Sequence, residues 1–195
     1  MIIGLTGSLA AGKGVIVDYL QSLGFRYFSL SNEVREEAKY RGIELKREKL
    51  QDLGNRLREK YGDAVLASRA LRKLDPSHNY IIDGIRNPSE VVELKKQKNK
   101  DFFLISVDAP QKLRFIRIIA RNRESDPDTW EDFLRIDEID QGKDQHQSGQ
   151  QVGACMSHAD FSVYNDGDIG AVAEKVKEII TQIETRSNKK IKKNF

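Results

Sequence analysis

A glycine-rich segment near the start of the chain follows the pattern G-x-x-x-x-G-K, with the sequence Gly7-Ser8-Leu9-Ala10-Ala11-Gly12-Lys13. Glycine at both fixed positions lets backbone N–H groups approach phosphate oxygens, and the lysine supplies positive charge for the outer phosphates. A helix that begins here would direct the positive end of its dipole at the same anion. The pattern therefore predicts a phosphate-binding loop, the P-loop, in which the phosphates of ATP would contact Gly7, Ser8, Ala10, Ala11, Gly12, Lys13, Gly14 and Val15.

The residue after Lys13 departs from the usual pattern, because Gly14 stands where many such loops carry a serine or threonine that binds Mg²⁺. Another oxygen must then hold the cofactor Mg²⁺. Asp83 ends an apolar run of strand length, where a carboxylate can bind Mg²⁺ directly or through water. The alternative for Asp83 is a turn carboxylate that precedes Gly84. A protein that binds nucleotide without turnover also stays open, since Gly14 and Val15 provide no hydroxyl.

Short apolar runs of strand length alternate with longer stretches of helical periodicity, which is typical of β-α-β units and a parallel sheet. Strands are predicted at residues 2–6, 26–30, 80–83, 102–108 and 161–164. Helices are predicted at residues 12–23, 32–41 with Ser31 as the N-cap, 47–61, 64–74, 88–97, 111–123, 130–139 and 171–183, with a loop at 141–149. The fold class is α/β, a three-layer P-loop NTPase fold with a five-stranded parallel sheet. Ligands bind at the carboxyl ends of strands in such sheets, where the P-loop and Asp83 both lie.

Composition and charge indicate one ordinary globular domain. Charged residues make up 32% and apolar residues 38% of the 195 residues, and the net charge of +3 owes much to lysines near the C-terminus, so no nucleic-acid-binding surface is indicated. No apolar run reaches about 20 residues, the length that spans a membrane. A single cysteine, Cys155, and the lack of a recognisable leader favour a cytoplasmic protein. We expect the domain at residues 1–185 and a basic, disordered tail at 186–195.

Three segments resemble the nucleoside monophosphate kinases of the adenylate kinase type. Gly12-Lys13-Gly14 is similar to the G-K-G-T end of their P-loop, although Val15 replaces the threonine. Residues 28–35, with the sequence F-S-L-S-N-E-V-R, resemble their I-S-T-G-D-M-L-R stretch, and residues 82–86, I-D-G-I-R, resemble L-D-G-F-P-R. The resemblance implies ATP as the phosphoryl donor and a nucleotide as the acceptor substrate.

A closer resemblance is to adenylate-kinase-like nucleotide kinases of archaea and bacteria, and to the kinase-like domain found joined to deoxycytidylate deaminase. It rests on residues 34–38, 82–91, 114–115 and 126–131, which occur in the same order in that group. The deaminase motifs H-x-E and P-C-x-x-C do not occur in the sequence, so the chain has no zinc deaminase site of its own. A separate deaminase partner is compatible with the resemblance, and the chain is expected to be a monomer or a homodimer.

The resemblance also assigns roles to individual residues. It implies a helical acceptor-binding insertion at about residues 31–75 and a lid at about 117–153 that closes over the donor phosphates. Asn165, in an Asn-Asp-Gly turn, would lie beside the adenine of ATP. The acceptor would contact Ser29, Arg35, Asp83, Gly84 and Arg86. The catalytic side chains would be Lys13, Arg86, Arg117 and Arg121. The basic helix before the lid carries Arg114, Arg117, Arg121 and Arg123, and in the kinases that the chain resembles the arginines here enter the lid. The alternatives are surface ion pairs for the arginines that follow strands, a solvated basic face for those on this helix, and an ordinary turn at Asn165.

The leading hypothesis from the sequence is an ATP-dependent phosphotransferase that acts on a nucleoside or deoxynucleoside monophosphate. The nearest enzymatic alternative is a small-molecule kinase similar to dephospho-CoA kinase, which the chain resembles at the P-loop and at the Asn165 turn. That group carries an aspartate pair after the second strand, whereas this chain has Ser29 and Ser31, which favours a nucleotide acceptor. The alternative from another class is a nucleotide-binding regulator without turnover.

Overall fold

Parallel strands form the centre of the molecule. The computed structural model describes residues 1–122, 126–187 and 191. The strands in these ranges are β1 (Ile2–Gly7), β2 (Arg26–Ser29), β3 (Tyr80–Asp83), β4 (Phe102–Asp108) and β5 (Phe161–Tyr164). They lie in the order β2-β3-β1-β4-β5, and every pairing is parallel. The predicted five-stranded parallel sheet is confirmed, with β1 one residue longer and β2 one residue shorter than expected.

Helices cover both faces of the sheet, because alternate residues of each central strand point to opposite sides. On one face, Ile3 and Leu5 pack with α1 (Lys13–Ser22) and α9 (Ile169–Ser187). On the other face, Ile2 and Ile82 pack against α2 (Leu30–Tyr40), α3 (Arg47–Tyr61), α4 (Val65–Lys73), α5 (Pro88–Lys98) and α8 (Val152–Ser157). This is the expected three-layer arrangement, and α2, α3 and α4 form the helical insertion between β2 and β3.

The strand register brings the functional loops to one edge of the sheet. Asp83 at the end of β3 pairs with Ser29 at the end of β2 on one side and with Leu5 of β1 on the other. Gly7 at the end of β1 pairs with Val107 of β4. The P-loop, Asp83 and the start of α2 therefore converge, as the parallel topology requires.

The start of α2 and the presence of α8 differ from the sequence-based expectation, and α9 (Ile169–Ser187) is longer at both ends than the predicted helix. α2 begins at Leu30 because Ser29, rather than Ser31, is its N-cap, and the Ser29 hydroxyl accepts a hydrogen bond from the Asn32 backbone N–H at 3.4 Å. α8 has no counterpart among the predicted helices, since its six residues are too few to show helical periodicity. Cys155 of α8 is buried in the core, as a small apolar side chain would be.

The last helix, α9, runs past residue 185, where the domain was expected to end. α9 extends to Ser187, and the guanidinium of Arg186 lies 4.6 Å from the ring centroid of Phe161. Residues 186 and 187 therefore belong to α9 and not to a tail. The rest of the predicted tail, apart from residue 191, lies outside the described residues. Within the described ranges, none of the helices combines the length and apolar character needed to cross a membrane.

The segment predicted as a lid packs onto the loop region. It begins within α6 (Gln111–Arg121) and contains α7 (Trp130–Gln141), whose Phe133 is fully buried beside Leu9 of the P-loop. The Asn87 side chain donates hydrogen bonds to the carbonyl oxygens of Gln147 and Gly149, at 2.8 and 3.0 Å. These bonds attach the connection after α7 to the loop that follows β3. Residues 123–125 of the predicted lid lie outside the described part.

Candidate active site

The P-loop has the backbone geometry that its two glycines permit. Gly7 has φ of 134°, and a Cβ added there would stand 2.0 Å from the carbonyl oxygen of Val107. Gly12 has φ of 96°, and a Cβ there would stand 2.1 Å from Nδ2 of Asn165. Both positions therefore exclude any side chain, for conformational and for steric reasons. α1 begins at Lys13, directly after the loop, so its free N–H groups face the same region.

The ammonium group of Lys13 is held inside the loop. Its Nζ donates hydrogen bonds to the carbonyl oxygens of Gly7 and Ser8, at 2.8 and 3.0 Å. Burial lowers the pKa of Lys13 to about 8, against the opposing attraction of the Asp83 carboxylate. Additional negative charge beside the ammonium would raise this pKa, so the loop is electrostatically prepared for an anion.

Asn165 and Arg117 support the loop. Nδ2 of Asn165 and Nη1 of Arg117 both donate to the carbonyl oxygen of Ala11, at 3.0 and 3.2 Å, and Nη2 of Arg117 donates to Oδ1 of Asn165 at 2.7 Å. Asn165 is 2% exposed and does not line the cavity above the loop, whereas Arg117 does. The structure therefore places Asn165 behind the P-loop, where it fixes the loop conformation, and places Arg117 at its side.

Three other loop positions differ in what they present to a ligand. The Ser8 hydroxyl donates to Oδ1 of Asp108 at 2.7 Å and accepts from Gln141 at 3.1 Å, so its side chain faces the protein. Val15 packs against the core on the α1 face of the sheet. Gly14 lines the cavity, and apart from its chain neighbours and the backbone of its own helix, no heavy atom of the described residues lies within 4 Å of the position a Cβ would take there. Ser8 and Val15 can therefore contact phosphate only through their backbone.

The Asp83 carboxylate is positioned by two donors. The Tyr27 hydroxyl donates to Oδ2 at 3.0 Å, and the backbone N–H of Gly84 donates to Oδ1 at 2.7 Å. Burial and the Asp83 charge raise the pKa of Tyr27 to about 12, so the phenol stays a donor at neutral pH. Each carboxylate oxygen keeps a second lone pair for a ligand.

The donor set around Asp83 fits a Mg²⁺ ion that arrives with a nucleotide. Among the described residues, no group of three or more His, Cys, Asp or Glu side chains could form a metal site by itself. Mg²⁺ commonly binds through one or two carboxylates, substrate phosphates and water, which requires only Asp83 from the protein. Asp83 is therefore the residue that would hold the ion, directly or through water.

A large cavity of about 710 Å³ joins these groups. Among the described residues, its charged lining contains six basic and three acidic side chains, so positive charge dominates. These are Lys13, Arg35, Arg47, Arg86, Arg117, Arg121, Asp83, Asp126 and Asp140. Arg121 is already paired, because its guanidinium donates to both oxygens of Asp126, at 2.6 and 2.7 Å. The predicted basic residues Lys13, Arg35, Arg86, Arg117 and Arg121 are all brought to this cavity.

A smaller pocket of about 60 Å³ adjoins the large cavity on the side of the helical insertion. Its walls include Leu30, Val34, Leu50 and Leu66 together with the amide side chains Gln51 and Gln150. The residues that line both the pocket and the cavity are Ser31, Arg35, Arg47, Gly84 and Arg86. The boundary between the two spaces is therefore strongly basic, and we refer to it as the junction.

The predicted acceptor residues lie at or near this junction. Arg86 donates to Oε1 of Gln150 at 3.0 Å, and Arg35 donates to Oδ1 of Asn32 at 3.3 Å. Gly84 has φ of 81°, and a Cβ there would stand 2.9 Å from the Ser31 hydroxyl, so the turn after β3 requires glycine. Ser29 lines the large cavity, and its hydroxyl serves as the N-cap of α2.

Sequence reasoning missed several residues of the site and misread one. Arg47, Asp140 and Gln150 reach it from three separate elements, and no local spacing signals that convergence. Arg114 was grouped with the basic lid face, but its guanidinium is buried and pairs with both carboxylate oxygens of Asp137, at 2.5 and 2.7 Å. Arg114 is therefore a core residue that joins α6 to α7, and Arg123 lies outside the described residues.

Comparison with known proteins identifies the class of domain in this chain and the family to which the chain belongs. A family model described as an AAA domain matches residues 6–134, which include the P-loop and the junction residues up to Arg86. The chain therefore carries a P-loop domain of this class. It belongs to the UPF0200 family: it is 31% identical to a UPF0200 protein of Methanothermobacter thermautotrophicus, over 94% of this chain and 90% of that protein. Identity to a UPF0200 protein of Thermococcus gammatolerans is 34%, over 94% and 95% of the two chains.

Solved structures show the same fold at low sequence identity. A shikimate kinase from Aquifex aeolicus superposes with a TM-score of 0.56 at 17% identity, over 96% of this chain and 99% of the other. A gluconokinase from Sinorhizobium meliloti gives 0.52 at 11% identity, over 94% and 93%. The predicted P-loop fold is thereby confirmed as kinase-like. Identities this low establish the fold alone.

Proposed function

We propose that this protein is an ATP-dependent phosphotransferase whose acceptor is a nucleoside or deoxynucleoside monophosphate. The observation that carries the proposal is the junction, where a P-loop cavity and a smaller, partly apolar pocket share three arginines. An acceptor seated in the pocket would direct its phosphate across this junction toward Lys13. Phosphoryl transfer needs mainly alignment and electrostatic stabilisation, and both are available in such an arrangement.

The donor side of the cavity supports ATP as the phosphoryl donor. The loop N–H groups and the amino end of α1 suit the donor phosphates, and Lys13 suits the outermost one. Arg117 and Arg121 line the same cavity and would face the triphosphate as it loses its terminal group. Mg²⁺ at Asp83 would neutralise charge on the two outer phosphates.

The acceptor side supports a phosphorylated substrate in preference to a neutral one. Arg35, Arg47 and Arg86 at the junction bring three positive charges to a partly enclosed region. A phosphate monoester carries a charge of about −1.5 to −2 at neutral pH and accepts paired hydrogen bonds from guanidinium groups. A neutral polyol in the same place would bring no negative charge to these three guanidinium groups.

The small pocket supports a nucleoside as the rest of the acceptor. Its leucine and valine walls offer apolar surface, and the amide groups of Gln51 and Gln150 can both donate and accept hydrogen bonds. A nucleobase combines apolar faces with donors and acceptors at its edge and so matches that mixture in chemistry, but the pocket of about 60 Å³ must widen toward the large cavity to admit it. The pocket does not by itself select one base.

A second candidate, a nucleotide-binding regulator without turnover, is favoured by one observation. Gly14 leaves open space where a metal-binding hydroxyl is usual, and Val15 is turned into the core. Such a protein would bind ATP through the same loop, and its affinity would not depend on Mg²⁺. Tight nucleotide binding without ADP formation would select this candidate.

A coupled ADP-release assay over a panel of ribonucleoside and deoxyribonucleoside monophosphates tests the proposal. Shikimate, gluconate and dephospho-CoA belong in the panel as acceptors of other chemical types. We expect acceptor-dependent ADP release with at least one monophosphate, and its loss in Lys13→Ala at unchanged circular dichroism. Turnover confined to an acceptor of another type, or no turnover with any acceptor, would refute the proposed acceptor class.

A further inference from the structure

An ion pair between Arg47 and Asp140 spans the candidate active site. Arg47 is the first residue of α3 in the helical insertion, and Asp140 is the next-to-last residue of α7. Nη2 of Arg47 donates to Oδ2 of Asp140, and Nε2 of Gln51 donates to Oδ1 of the same carboxylate at 2.7 Å. The side chains of Arg47 and Asp140 are only 15% and 5% exposed. The pair therefore connects the acceptor side of the site to the lid segment.

Arg47 is incompletely satisfied in this arrangement. Its Nε is buried, and no hydrogen-bond acceptor among the described residues reaches it. A buried donor without a partner is destabilising, and a guanidinium offers its donors as a planar fork that suits a phosphate. Arg47 also stands at the amino end of α3, where the helix dipole disfavours a cation. Neither feature is expected of a residue that serves only to stabilise the fold.

The position of Arg47 matches that of the predicted acceptor arginines. Like Arg35 and Arg86, it lines both the small pocket and the large cavity. Asp140 lines the cavity, and its charge acts on Lys13, since Asp140 raises and Arg47 lowers the pKa of that lysine. The ion pair thus lies between the acceptor pocket and the P-loop.

We propose that Arg47 is an acceptor-phosphate ligand that Asp140 holds in place until the acceptor binds. This inference rests on the proposed function, and it adds a third arginine and a competing carboxylate to the acceptor site. A phosphate monoester brings nearly two negative charges to the junction, whereas Asp140 brings one. The guanidinium therefore exchanges its carboxylate partner for the substrate phosphate, and competition from Asp140 for Arg47 lowers the affinity for the monophosphate.

Equilibrium binding of AMP and CMP to the full chain without ATP tests the exchange independently of turnover. The variants are Arg47→Ala, Asp140→Asn and the double substitution. Arg56→Ala, at an exposed arginine of the same helix paired with Asp52, is the matched control. Adenosine and cytidine serve as probes that lack the phosphate. Circular dichroism and thermal melting monitor the fold. If Arg47→Ala does not fold, Asp140→Asn still tests the exchange.

Arg47→Ala should weaken binding of the better monophosphate by at least about tenfold and leave the weaker nucleoside binding unchanged, because a charge-assisted bond is lost. Asp140→Asn should tighten monophosphate binding severalfold, and this gain should vanish when Arg47 is also replaced. In turnover, Arg47→Ala should raise the acceptor KM and leave the ATP KM within about twofold.

The inference fails if Arg47→Ala and Arg56→Ala bind the monophosphate with equal affinity, or if Arg47→Ala weakens binding of the nucleoside as much as binding of the monophosphate. It also fails if Asp140→Asn changes the monophosphate affinity equally in the presence and absence of Arg47. The failures of the two proposals can be told apart. Monophosphate binding that depends on Arg47 without any ADP release upholds the inference and refutes the proposed function. ADP release with an acceptor KM that Arg47→Ala does not change upholds the proposed function and refutes the inference. A native protein that binds neither AMP nor CMP refutes the inference, whereas the proposed function is then decided by ADP release with the full panel of monophosphates.

Discussion

The affinity of the P-loop for ATP should fall as pH rises above about 8. Burial lowers the pKa of Lys13 to about 8 in the protein without nucleotide. The triphosphate of bound ATP favours the charged form of the neighbouring ammonium, so ATP binding raises the pKa of Lys13. At any pH where the lysine of the free protein is partly neutral, the complex therefore takes up protons. The affinity for ATP is therefore highest below the pKa of Lys13 in the free protein, and it declines as the pH rises above that value.

The size of the effect follows from the fraction of charged lysine. With a pKa of about 8, that fraction is about nine tenths at pH 7 and about one tenth at pH 9. The phosphate charge is nearly constant over this range, because its last pKa is about 6. The dissociation constant for ATP should therefore rise about tenfold from pH 7 to pH 9, with uptake of about half a proton per nucleotide at pH 8.

Isothermal titration calorimetry in buffers of different ionisation enthalpy measures both quantities. Lys13→Ala is the control, since it should bind ATP more weakly and without the steep pH dependence. The reasoning is refuted if the native protein keeps a constant affinity between pH 7 and pH 9 and takes up no proton. It is also refuted if Lys13→Ala retains the full slope, because another group would then be titrating.

Three further predictions concern single residues. Gly12→Ala should lose ATP binding while it stays folded, because the added Cβ would collide with Asn165; native affinity in calorimetry would contradict this. Arg114→Leu should reduce the free energy of unfolding by about 3–5 kcal/mol in urea, since it leaves the buried carboxylate of Asp137 without its arginine; a loss under about 1 kcal/mol would refute the structural role. Gly14→Ser should fold normally, because its side chain would enter open space, and it should strengthen the dependence of ATP binding on Mg²⁺. A thermal melt that shows an unfolded variant would contradict the open position.

The sheet could be predicted because its strands are short apolar runs with clear ends. Residues 80–83 and 102–108 match their predicted strands, since buried parallel strands read as continuous apolar sequence. The P-loop could be predicted for a related reason, because its chemistry lies in consecutive residues. Asp83 ends β3 and Arg86 follows it, and both line the cavity above the P-loop, as expected of residues at the carboxyl end of a strand.

The rest of the site depends on contacts between distant parts of the chain. Arg47 and Asp140 are 93 positions apart in the sequence, and their pairing arises only when the insertion and α7 pack over the sheet. The burial of Arg114 could not be predicted either, because an arginine in a basic helix is expected to be exposed unless its partner on α7 is known. The N-cap of α2 was misplaced by two residues, since Ser29 and Ser31 are equivalent capping residues in sequence.

The affinity of a bisubstrate analogue tests the central claim most directly. Adenosine joined through five phosphates to a nucleoside would occupy the P-loop and the small pocket together. We predict that the analogue carrying the preferred nucleoside binds at least about 100-fold more tightly than ATP, through the effective concentration of the linked groups. Lys13→Ala and Arg86→Ala should each abolish most of that gain. An analogue that binds no better than ATP, or that is insensitive to Arg86→Ala, would contradict the account of two adjoining sites.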